Sequence, residues 1–164
     1  MKHIIFTISL LALVSCKDGK TDENSSKINV NVESSEALHN SHDDESENIY
    51  TNAWTSDINL NDGAKWQANV ETNEGVKKMQ DVLKTIQTTS LEDYHELANQ
   101  LNESKNYVIK NCTMKGPSHD YLHVWLLPLM AKIEALSETK TVEDASEIKN
   151  NIEENINRYN TYFH

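Results

Sequence analysis

Cys112-Thr-Met114-Lys-Gly116-Pro117-Ser118-His119-Asp120-Tyr-Leu122-His123-Val-Trp125-Leu126-Leu-Pro128-Leu129-Met130 is the stretch whose reading decides the fold. Gly116-Pro117 reads as a helix stop, because glycine suits a left-handed C-cap and proline cannot continue a helix. Ser118 then reads as the N-cap of a new helix, with Asp120 in its first turn complementing the positive end of the dipole. Two helices joined by so short a break must run antiparallel. The same nineteen residues carry both prolines, one of the two cysteines and two of the four methionines of the chain, so its rarer side chains converge on one turn.

Outward from this corner, apolar residues recur at helical spacing on both sides. The third helix steps along Leu122, Leu126, Leu129, Ile133 and Leu136. Before the corner, Ser90 with Asp93 three residues on opens a second helix, whose stripe is Leu91, Tyr94, Leu97, Leu101, Val108 and Cys112. After it, Thr141 with Asp144 opens a fourth, carrying Val142, Ala145, Ile148, Ile152, Ile156, Tyr159 and Phe163. A first helix is expected from about Asn73 to Thr88 through Val76, Met79, Leu83 and Ile86. The expected fold is therefore all-α: an up-down-up-down antiparallel four-helix bundle over residues 73–164. Pro128 lies inside the third helix, where it costs about 3 kcal/mol, removes the partner of the Val124 carbonyl and predicts a kink.

Residues 53–72 read as an irregular strap. Asn61-Asp62-Gly63 marks a turn, and Trp54 and Trp66 supply the apolar bulk to dock it on the bundle. Residues 16–52 are mostly Asp, Glu, Ser, Asn and Lys, too polar to offset the entropy of ordering, and are expected to form a disordered acidic tether. Within it His39, His42, Asp43, Asp44 and Glu45 read as a solvated charge run, with weak metal collection as the alternative. Residues 1–15 have a basic start and an apolar run from Ile4 to Val14, too short for the roughly 20 residues that span a bilayer, and read as a signal peptide.

Leu13-Val14-Ser15-Cys16 resembles the bacterial lipobox, which implies that Cys16 is lipidated and becomes the mature N-terminus. Several acyl chains, palmitate among them, at about 0.8 kcal/mol per buried CH₂ would hold the protein on a membrane without spanning it. Lys17-Asp18-Gly19 is similar to the charged tags that follow the cysteine in surface-exported lipoproteins of Bacteroidetes-type bacteria. The Cys112–Met130 stretch likewise resembles a feature of small uncharacterised lipoproteins of such bacteria. These resemblances imply a cell-envelope location, the outer membrane first, with either face open, and they imply no activity.

The formal net charge of −11, with Arg158 the sole arginine, argues against nucleic acid as a partner. With Cys16 assigned to the anchor, Cys112 is the remaining thiol, expected to be buried, metal-bound or paired with another molecule. On a helix His119, His123 and Met130 fall within about 40° of one another, at the edge of the core stripe. Cys112 and Met114 sit just before the turn that delivers them. Thiolate, thioether and imidazole together suit Cu(I), and two histidines with a cysteine suit Zn²⁺. The bland reading is that the histidines cap, hydrogen-bond or line a groove.

The bundle resembles the b-type and c′-type cytochromes in architecture. Those hold haem through a histidine near the end of the last helix, where this chain has Tyr159, Asn160 and Tyr162, and no Cys-x₂-Cys-His motif is present, so haem is not expected. No phosphate loop, nucleophile elbow or distinct carboxylate pair points to an enzyme. The expected function is a lipid-anchored envelope protein that captures copper or zinc at Cys112, Met114, His119, His123 and Met130. The alternative is an interaction module that docks an envelope protein through a groove beside Trp125 and His123.

Overall fold

The computed structural model describes residues 49–164. Four α-helices follow one another: α1 (Val70–Thr85), α2 (Leu91–Asn111), α3 (Pro117–Glu138) and α4 (Val142–Tyr162), after a 3-10 turn at Ala53–Ser56. Each helix packs on the one that follows, and α4 also meets α1 and α2. The architecture is the all-α four-helix bundle that the periodicity implies. The signal peptide, Cys16, and the tether as far as residue 48 lie outside the described residues.

Local chemistry sets two of the starts as read. Ser90 Oγ accepts from the Asp93 amide at 3.2 Å, and Asp93 Oδ2 accepts from the Ser90 amide at 2.8 Å, closing a capping box on α2. Hydrogen bonds from the Thr89 and Ser90 amides and hydroxyls hold the Asp93 carboxyl down at about 2. Thr141 Oγ1 accepts from the Asp144 amide at 3.1 Å and starts α4.

The other two starts differ from expectation. Asn69 precedes a helix that begins at Val70, three residues early, because its side chain is anchored: Nδ2 donates to the Asn111 carbonyl at 3.0 Å and Oδ1 accepts from Thr72 Oγ1 at 2.6 Å. That helix ends at Thr85, not Thr88. Gly116 does not cap α2, which ends at Asn111; it is the N-cap of α3, and Pro117, not Ser118, opens the helix. Proline has no amide hydrogen to leave unsatisfied at a first helical position, and it bars the preceding residue from helical backbone. Gly116 accordingly adopts φ 63°, ψ −152°, a conformation open to a residue without Cβ, and its carbonyl accepts from the His119 and Asp120 amides at 2.9 and 3.0 Å. Helix α3 runs through Pro128 without interruption.

All five apolar residues read as the α3 core stripe are buried, and Trp125 joins them with no exposed surface. Its indole N–H donates to the Asn155 carbonyl at 3.0 Å, and its ring meets Tyr159 edge-on at 4.9 Å. Tyr159 in turn stacks on Phe163 at 4.9 Å, so an aromatic row joins α3 to the end of α4.

The strap is more regular than its composition suggests. The Trp66 amide donates to the Tyr162 carbonyl at 2.7 Å, the His164 amide to Trp66 at 3.0 Å, and the Ala68 amide to His164 at 2.9 Å, a short parallel pairing of 66–68 with 162–164. Trp54 is buried as expected, 5.8 Å from the Tyr162 ring. Ordered packing also starts before residue 53, where the tether was expected to end: Ile49 lies against the core, and Asn52 bonds to α3 and α4. The cause is the Asn52 carboxamide, which finds partners at both ends.

Candidate metal site

The first two turns of α3 carry His119 and His123 on one face, because residues four apart lie one above the other on a helix. The Gly116-Pro117 start sets this turn at the corner between α2 and α3. His119 is half-buried and His123 exposed. Their Nε2 atoms are 3.3 Å apart and their rings cross at 66° with centroids 4.5 Å apart. Two imidazole lone pairs that face each other repel, so the contact requires either a proton on one nitrogen or a cation between both. Two nitrogens each 2.0–2.1 Å from a tetrahedral ion lie about 3.3 Å apart, a separation that this pair matches and that an N–H···N hydrogen bond between the rings also gives.

The other residues expected as ligands pack on the core or line a cleft. Cys112 is half-buried and packs against the core, in the neighbourhood of Tyr159. Burial first and the Cys112 charge second push the Tyr159 phenol above its ordinary range, while its hydroxyl donates to Asn73 Oδ1 at 2.8 Å. Met114 also packs on the core. Met130 is seven residues beyond His123, roughly 10 Å along the helix axis, and lines a cleft of about 330 Å³ between α2 and α3 with Asn99, Asn102, Lys105 and Glu134. Among the described residues no three His, Cys, Asp or Glu side chains come together as a metal-holding group. Of the expected set the two histidines are in direct contact, Cys112 packs on the core at the end of the α2 stripe, and Met130 is separated from the pair by helix rise.

The groove expected beside Trp125 and His123 loses its aromatic member for a similar reason. Trp125 is turned into the bundle by its hydrogen bond to α4, and the exposed side of α3 carries Asp120, His123, Leu127, Ala131 and Glu134. Sequence reading also missed Lys132, wholly buried on α3, whose ammonium donates to Asn52 Oδ1 at 2.6 Å. A lysine adjacent to the core residue Ile133 was the one signal for it.

None of the helices among the described residues is long and apolar enough to cross a membrane. Comparison with protein-family models, with curated proteins and with solved structures finds no match to the chain.

Proposed function

We propose that this chain is a lipid-anchored envelope protein that binds a divalent zinc-type cation through His119 and His123. The observation that carries the reading is the 3.3 Å separation of the two Nε2 atoms, which fits tetrahedral coordination by borderline-soft Zn²⁺. Membrane attachment rests on the lipobox-like Leu13-Val14-Ser15-Cys16. The ligand is captured and not transformed. Copper shares the imidazole preference, but a chelate without thiolate or thioether favours a divalent ion over Cu(I).

The test is the zinc content of the full chain, purified in detergent without a histidine tag and dialysed against micromolar Zn²⁺. Zinc is retained by the native protein and falls at least tenfold in His119→Gln and in His123→Gln. Cys112→Ser keeps it. Equal zinc in the native protein and both histidine variants would exclude this site, and loss in Cys112→Ser would return the thiol to the ligand set.

A further inference from the structure

We infer that the ion held by His119 and His123 joins two copies of this chain, each donating two imidazoles to one tetrahedral Zn²⁺. The inference rests on the chelate reading and goes beyond it to the partner that completes the site.

Ligand number is the first ground. A zinc ion bound at the pair has two of four positions filled, and no further His, Cys, Asp or Glu among the described residues joins them. The open positions face outward, because His123 is exposed on a surface helix. Completion must come from solvent or from another molecule.

Symmetry is the second. A tetrahedral ion has two-fold axes that exchange one pair of ligands with the other pair, each such axis passing between a ligand of one pair and a ligand of the other. A patch that offers one two-nitrogen chelate is therefore self-complementary across such an axis, as an isologous interface requires. Nothing beyond a second copy is needed to supply the missing half.

The surface beside the chelate is the third. One turn beyond His123 on the same face, Leu127 is 56% exposed, among the most exposed large apolar side chains of the described residues. A second α3 seated on the chelate would meet this face, which Leu127 shares with the exposed Asp120 and Glu134. Charge sets the conditions: the chain is acidic, so two copies repel, and the cation between them offsets that repulsion.

Sedimentation equilibrium of the full chain in density-matched detergent tests this. The expected result is a monomer in EDTA and a dimer in Zn²⁺, with one zinc per two chains. Leu127→Glu, at an exposed position, should weaken the dimer at least tenfold while the monomer still binds zinc. His119→Gln should abolish both zinc and dimer. A monomer carrying one zinc per chain, or a dimer that persists in EDTA, would overturn the bridged dimer and leave the chelate standing. Failure to bind zinc at all would remove both.

Discussion

The ammonium of Lys132 donates to the Asn52 carboxamide oxygen at 2.6 Å, a contact that spans 80 residues of chain and fastens the strap to α3. Asn52 Oδ1 also accepts from Trp54 Nε1 at 3.0 Å, and its Nδ2 donates to the Asn151 carbonyl at 3.2 Å and to Glu154 Oε2 at 3.1 Å. One carboxamide therefore connects the strap, α3 and α4. A buried lysine needs such a partner, because removing an ammonium from water is costly unless hydrogen bonds replace its hydration.

Burial pulls Lys132 from 10.5 down to about 8, against the opposing charge of Glu154. Between those values the unfolded chain holds a proton that the folded chain has released, so this group's contribution to stability rises with pH from about 8 to 10.5 and is constant below. Urea unfolding of the native protein and Lys132→Met at intervals from pH 7 to pH 10 should show the native protein gaining on the variant above about 8. A difference that stays flat over this range would mean that the lysine is not desolvated as described.

Gly75 lies against α2 with no room for a side chain: a Cβ there would clash with Val108 Cγ2 and meet Tyr107 Cδ1 at 3.3 Å. Alanine would gain about 1 kcal/mol in helix propensity. Overpacking against a fully buried valine costs typically 1–3 kcal/mol, so Gly75→Ala is expected to destabilise by about 1 kcal/mol net. In combination with Val108→Ala the two changes should couple favourably by about 1 kcal/mol, since the smaller side chain makes room. Strictly additive unfolding energies would show that the helices separate instead.

Asn155 is wholly buried in α4, and neither end of its carboxamide has a hydrogen-bond partner among the described residues. Its backbone carbonyl, by contrast, serves the Trp125 indole. An unpaired buried amide costs about 1–3 kcal/mol, so Asn155→Leu, close in size, should raise stability by about 1 kcal/mol and leave the Trp125 contact in place. Thermal unfolding would read the gain, and tryptophan fluorescence would report the contact. Destabilisation would mean that the amide is satisfied in solution.

Short-range chemistry was legible in the chain. Ser90 with Asp93 and Thr141 with Asp144 act within three residues of each other, so the starts of α2 and α4 depend on little beyond their own sequence. The apolar stripes are equally local, because helical geometry alone puts Leu122, Leu126, Leu129, Ile133 and Leu136 on one side. His119 and His123 belong to the same class: a spacing of four on a helix makes their side chains neighbours on one face.

The misread features are those set by partners far away in the chain. Trp125 is buried because the Asn155 carbonyl lies across from it, and Lys132 is tolerated in the core because Asn52 reaches it. Residues 66–68 are paired because the end of α4 comes alongside. Cys112 packs on the core because the stripe that it ends faces inward. The sequence by itself determined four amphipathic helices and a two-histidine face, since both follow from the 3.6-residue period. Tertiary structure alone decided which polar groups are buried and how many ligands converge, since hydrogen-bond satisfaction and coordination depend on atoms that only folding brings together.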